Sequence, residues 1–299
     1  MNKKILALFV FAIFIMLTAS GCSIRKLTAN TTATIMDDVV DAFFQEQDTE
    51  FAQVAIPANL KLLDGLIKAA DYENNELLLK GCKLYGMYAL AFLEDATVDA
   101  VQDRENQKRA KIFYLRSKEY GMRILRKNSD FEKVADGNLD DFKATLASFN
   151  KDEVPALFWT AFSWGSYINL SKNSAQDIAD LPKVRAMVER VIELDDTYFY
   201  GIPHLFMIVY YSMPKLFGGD PALAKKEYDR IKAISGNKFL MADVYMAKFY
   251  APAMQDKALF TGYVEAIRTA DDALIPEKLF TAVAKKKIEI LAKKMENYF

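Results

Sequence analysis

Two cysteines and one histidine are all the thiol and imidazole chemistry in this 299-residue chain. Cys22 falls in an N-terminal leader motif, so Cys82 has no partner and no disulfide is expected within the exported chain. One Cys and one His do not make a zinc site of ordinary composition, and no metal site is expected. Glycine (12 residues) and proline (8) are scarce, which excludes a low-complexity or collagen-like chain. With 39 basic against 40 acidic residues the net charge is −1, leaving no basic footprint for nucleic acid. There is no P-loop, no GxGxxG and no GxSxG, which removes the common phosphate, dinucleotide and acyl-transfer signatures. No run alternates convincingly with period two, so strands are not expected.

What is present begins with a leader. Lys3 and Lys4 precede a nearly unbroken apolar run, Ile5 to Leu17, then Thr18-Ala19-Ser20-Gly21 directly before Cys22. The run is short for a membrane span and carries signal-peptide flanks, so residues 1–21 are read as an export signal. Ala19-Ser20-Gly21-Cys22 resembles a bacterial lipobox, with Ala19 where leucine is usual. It predicts cleavage before Cys22 and lipidation of that cysteine, which makes attachment effectively permanent. Ser23 in place of aspartate after Cys22 favours the outer membrane over the inner. Residues 22–34 (CSIRKLTANTTAT) are polar and weakly patterned and are read as a tether.

From 35 to 299 the apolar residues recur three and four apart, which predicts one all-α domain. Ile56 to Ala70 opens with Pro57 at a first-turn position. Asn75 to Glu94 is apolar almost all round and should be central. In Gln107 to Arg126, Ile112, Leu115, Met122 and Leu125 are expected inward. Residues 127–154 break the rhythm as an insertion. Thereafter helices pair: PALFWTAFSWGSYINL with LPKVRAMVERVIELDDTY, YFYGIPHLFMIVYYSM with DPALAKKEYDRIKAIS, and NKFLMADVYMAKFYAP with KALFTGYVEAIRTADDAL.

The second helices align as Val184-Val188-Val191, Ala224-Tyr228-Ile231 and Leu259-Tyr263-Ala266, and Ala110-Tyr114-Ser117 fits the same template. That spacing and period are those of degenerate tetratricopeptide (TPR) repeats, predicting a right-handed solenoid of helical hairpins. Pro276 to Phe299 is expected as a C-terminal capping helix with its five lysines facing out.

Candidate chemistry is thin. His204 lacks an announced acid or nucleophile beside it, so packing outweighs catalysis. Gly218-Gly219-Asp220-Pro221 has a structural account as turn, cap and first helical residue. The acidic doublets, such as Asp195-Asp196, sit near helix ends. Aromatic residues are dense on two first helices: Phe158, Trp159, Phe162 and Trp164, then Tyr198, Phe199, Tyr200, Phe206, Tyr210 and Tyr211. Neighbours such as Tyr210 and Tyr211 cannot point the same way on a helix, so part of this surface should line a groove. From helix position, the ligand-lining candidates are Trp159, Trp164, Tyr200, His204, Tyr211 and Lys238.

Together the leader, the paired helices and the strings IPANLKLLDGLIKAA, ELLLKGCKLYGMYALAFLED, KRAKIFYLRSKEYGMRIL, EVPALFWTAFSWGSYINLSKN and TYFYGIPHLFMIVYYSMPKLFGGDPALAKKEYDRI resemble a family. It is the TPR-containing lipoprotein component associated with tripartite ATP-independent periplasmic (TRAP) transporters, the TatT-like proteins. The resemblance implies a helical solenoid, a lipid anchor at Cys22 and self-association as a trimer. It also implies partnership with the periplasmic solute-binding protein of a TRAP system, whose cargo is an organic acid or hydrophobic anion. It supplies no catalytic residue and no cofactor. The expectation is a periplasm-facing scaffold, not an enzyme. The alternative is a TPR lipoprotein that builds outer-membrane or pilus machinery.

Overall fold

The computed structural model describes residues 3–299, and side chains from residue 24 onward. The export signal and the lipidation of Cys22 therefore lie outside the described side chains. The described residues are all-α, as the periodicity predicts, with no strand among them. Sixteen helical segments follow in order: α1 Lys3–Gln45, α2 Thr49–Ala69, α3 Asn75–Phe92, α4 Ala100–Leu125, α5 Ser129–Val134, α6 Leu139–Leu146, α7 Val154–Asn169, α8 Ala175–Ile178, α9 Leu181–Asp195, α10 Tyr198–Gly201, α11 Pro203–Tyr211, α12 Pro221–Ser235, α13 Met241–Tyr245, α14 Ala251–Ala253, α15 Lys257–Arg268 and α16 Lys278–Lys293.

The segment expected as a tether is part of α1. Ala29 and Ala33 are buried, Lys26 pairs with Glu73, and Asn30 accepts from the Asn74 side chain at 2.8 Å. α2 also starts earlier than its proline suggests. Asp48 caps it, its Oδ1 accepting from the backbone of Glu50 at 2.9 Å and Phe51 at 3.0 Å. Pro57 is therefore interior, where it denies the Gln53 carbonyl its helical donor. The Tyr88 hydroxyl from α3 supplies the replacement at 3.1 Å. A tertiary contact has absorbed the cost that makes proline a boundary signal.

α3 is central as expected, packed between α2, α4 and α7. On α4 the buried face is Ala110, Tyr114 and Ser117, all fully buried. Ile112 (58% exposed) and Leu115 (42%) point outward, against expectation, while Met122 and Leu125 are buried. The Ala110-Tyr114-Ser117 spacing thus marks the buried face better than plain hydrophobicity, because small and hydroxylated residues let α4 approach α3 and α7 closely. Val184, Val188 and Val191 are all fully buried, and so are Ala224 and Ile231. The last trio slips: Ala266 is exposed and α15 buries Phe260, Tyr263, Val264 and Ile267 instead.

The insertion forms α5 and α6, whose Phe131 and Phe142 are buried with Phe149 in one aromatic cluster. α16 does not simply cap the far end. It packs on α1, α2 and α13, with Phe280 stacked on Phe44. Its lysines are largely engaged, contrary to the outward face expected. Lys285 binds the Ala270 carbonyl and Asp272, Lys286 pairs with Glu50, Lys287 is buried on the Glu94 carbonyl, and Lys294 meets Asp103 at 3.0 Å.

Candidate functional site

α7 and α11 run beside each other, and one face of each is apolar at helical spacing. On α7 that face is Phe158, Phe162, Gly165 and Asn169; on the α11 side it is Ile202, Leu205, Phe206, Val209 and Tyr210. Between them lies a cavity of about 350 Å³. Ile178, Leu181, Met213, Pro214, Phe217, Tyr245 and Phe249 contribute to the rest of its lining. That volume falls at the small end of ordinary ligand pockets.

The Gly-Gly-Asp-Pro corner borders the lining residues Met213, Pro214 and Phe217 in the chain. Gly218 has φ of +90°, and a Cβ on Gly219 would sit 1.6 Å from the Met213 carbonyl oxygen. Only glycine lets the turn fold back that tightly. Asp220 then caps α12, accepting from Ala222 at 2.9 Å, with Pro221 as its first residue. The architecture read from sequence is present, and the turn directly follows Phe217, which lines the cavity.

A second, polar cavity of about 460 Å³ shares Glu94, Asn169, Lys172 and Phe249 with the first. Its floor is ionic. Lys248 donates to Glu94 Oε1 at 2.8 Å and to Asp95 Oδ2 at 2.6 Å. The Tyr114 hydroxyl donates to the other Glu94 oxygen at 2.9 Å. Burial alone would raise the Asp95 carboxyl, but Lys248, Lys287 and Lys294 hold it down at about 2. Burial opposes the charge on Lys248, yet Asp95 and Glu94 push its pKa well above the usual lysine value. Lys287 is pulled down to about 8 by burial, a shift Asp95 and Glu94 only partly offset. Lys172, at the rim, makes no hydrogen bond or ion pair among the described residues, and desolvation lowers its pKa.

Lys248 sits in a π-turn, Met246–Tyr250, inserted between α13 and α14. Such turns carry one extra residue and recur at functional sites. Here the turn presents Phe249, beside Tyr245 at the end of α13, to the apolar cavity and Lys248 to the carboxylates. No pattern of residue types announced it.

None of the six sequence candidates lines the apolar cavity. Trp159 is buried and donates its indole N–H to the Tyr198 hydroxyl at 3.0 Å. It belongs to an aromatic junction with Phe199, while the Lys83 ammonium lies 4.6 Å from the Phe44 ring centroid and 5.2 Å from that of Phe199. Tyr200 stacks on Phe239 and donates to Glu277 at 2.6 Å, which joins α10 to the start of α16. Trp164 is buried beneath the Lys118 ammonium, 3.7 Å from the ring centroid. His204 is buried, with Nδ1 2.5 Å from Glu227 and Nε2 3.2 Å from the Asp196 carbonyl. Tyr211 packs edge-on against Tyr210, and Lys238 is exposed. Of the neighbouring tyrosines, Tyr210 lines the cavity and Tyr211 does not. The cue that would have found the lining is the i, i+4, i+7 run Phe158, Phe162, Gly165 facing Phe206 and Tyr210.

The profile of the TRAP transporter T-component family matches residues 45–299, which contain both cavities. The chain belongs to that family. No curated protein matches the chain. As a T-component it is part of a TRAP transport system of the cell envelope. Among its described residues from 24 onward no helix is long and apolar enough to cross a membrane, and no group of three or more His, Cys, Asp or Glu could hold a metal ion. The site offers an apolar chamber and an ionic floor whose charges are mutually engaged. Its single histidine lies elsewhere, with both ring nitrogens occupied.

Proposed function

We propose that this T-component docks the periplasmic solute-binding protein of its TRAP system and holds an apolar part of the solute between α7 and α11, without converting it. In this reading it is a periplasm-facing lipoprotein, anchored through Cys22 and oriented from the outer membrane. The observation that carries the holding role is the apolar cavity, enclosed within the span that matches the family. Burial of apolar solute surface there stabilises by roughly 25 cal/mol per Å², before ordering costs.

Two measurements test the two halves. Ser166→Trp places an indole in the cavity from a partly exposed position on α7. It is expected to weaken binding of a neutral fluorescent naphthylamine probe at least tenfold, with an unchanged circular dichroism spectrum. Equal probe binding by variant and parent removes the cavity from the proposal. For docking, sedimentation of the mature chain with the solute-binding protein encoded beside it should show a complex at tens of micromolar. Separate boundaries, with and without solute, would sink that half.

A further inference from the structure

The start of α1 carries two apolar faces, and the fold uses only one. Ala29, Ala33, Met36, Val40 and Phe44 follow each other on the buried side. Rotated half a turn away lie Ile24, Leu27, Thr28, Thr31 and Ile35, all exposed, with Ile24 at 61%, Leu27 at 66% and Ile35 at 60%. At 100° per residue these five fall within a quarter to a third of the helix circumference, and Asp38 ends the face. The threonines do not make it polar. Thr28 Oγ1 donates to the Ile24 carbonyl, Thr31 to Leu27 and Thr32 to Thr28, each at 2.9 Å. With the hydroxyls turned onto the helix backbone, the threonines on this face need no water as partner.

Position decides what covers this face. α1 is one continuous helix from the apolar run through residue 45, so Ile24 and Leu27 lie about 3 Å and 8 Å along the axis from Cys22. An acyl chain on Cys22 would bring that end to the headgroup layer, which an interfacial helix enters by roughly 5–10 Å. Ile35 lies about 20 Å along the axis, too far to reach the layer if the helix stood upright. The helix is also packed against the body through its buried Ala29, Ala33, Met36, Val40 and Phe44, with Lys26–Glu73 and Asn30–Asn74 placing it beside the turn between α2 and α3.

We propose that the Ile24–Leu27–Thr31–Ile35 face of α1 lies flat on the phospholipid surface, so that the membrane fixes the orientation of the whole body. This rests on the lipid anchor of the proposed function. The anchor then does not end in a flexible leash: the α2–α3 turn is held at the bilayer.

The test uses the full, acylated chain in phosphatidylethanolamine–phosphatidylglycerol vesicles. Single cysteines for a fluorophore are placed by Leu27→Cys, Ile35→Cys and, as a remote exposed control, Leu216→Cys. Cys82 is buried, with its thiol pushed up to about 12 by that burial, and stays unlabelled. Headgroup-nitroxide lipids are expected to quench positions 27 and 35 several-fold more than position 216. Quenching at 27 but not at 35 overturns the flat orientation. No quenching at either, or cross-linking between chains at 35, overturns the membrane as occupant, the latter in favour of a second copy. The mass of the N-terminal peptide decides the anchor separately. An acylated chain that floats with vesicles yet shows no quenching leaves the anchor standing and ends only this proposal. A chain without acyl groups that stays in solution ends both.

Discussion

Lys248→Met is expected to cost about 3–5 kcal/mol of folding stability, read by urea unfolding at pH 7. Its ammonium is the nearest cation to two carboxylates whose side chains are only 7% and 15% exposed. Removing one member of a buried pair leaves the other charge uncompensated, and that penalty, not the net worth of the pair, sets the size of the loss. The pH dependence distinguishes this from lost packing. In the parent, Asp95 titrates at about 2 against roughly 4 when unfolded, so its stabilisation is complete above pH 4 and fades as pH falls towards 2. In the variant, Asp95 has lost its nearest cation and binds a proton more readily when folded. The gap between variant and parent should therefore narrow as pH falls from 7 to 4. A gap independent of pH would mean that methionine simply packs badly. Adding Glu94→Gln to Lys248→Met should recover a good part of the loss, since one buried charge is gone and the amide oxygen can still accept from Tyr114.

The second large effect is steric. A Cβ on Gly121 of α4 would lie 1.9 Å from Thr160 Oγ1 on α7 and 2.9 Å from Cys82 Sγ on α3. Helix propensity alone would reward Gly121→Ala by up to about 1 kcal/mol. The clash is larger, since it falls among fully buried atoms of three helices, so a net loss of about 2–3 kcal/mol is expected. Gly65 on α2, with nothing within 4 Å of its Cβ position, supplies the control: Gly65→Ala should stabilise by about 0.5–1 kcal/mol. Thr160→Ala removes the closest atom. In that background Gly121→Ala should cost less by 1 kcal/mol or more, a coupling that thermal or urea unfolding can resolve. Simple additivity would show that the close approach is not what fixes Gly121.

These two sites also mark where the sequence was readable. Helix class, the central place of α3 and the capping of α12 follow from periodicity, composition and turn chemistry, all local properties. The buried trios on α4 and α9 were visible in their four-then-three spacing, which picks out small residues that permit close approach as well as hydrophobic ones. Failures came where a distant partner changes the local rule. Tyr88 rescues Pro57, Glu94 recruits Lys287 inward from a face that reads as solvated, and α2 and α3 turn a polar tether into a packed helix. The candidate site was half legible. The right helices, α7 and the segment leading into α11, stood out by their aromatics. Which rings face the cavity depended on rotation about each axis, and the largest residues, Trp159 and Trp164, went to the core. The π-turn was illegible because one extra residue in a helix changes no composition and no period that a single sequence displays.

The return of α16 to the first helices has a consequence for the order of events in the cell. A chain is synthesised from its amino end, so Glu50, Glu94 and Asp103 are made long before Lys286, Lys287 and Lys294. Until those arrive, the carboxylates lack their C-terminal cations, the Glu94 carbonyl lacks its lysine donor, and Phe44 has no Phe280 to stack upon. The amino-terminal helices can form as they appear, but their shared face is completed only by α16. The packing of the first helices is therefore completed only once α16 has been made.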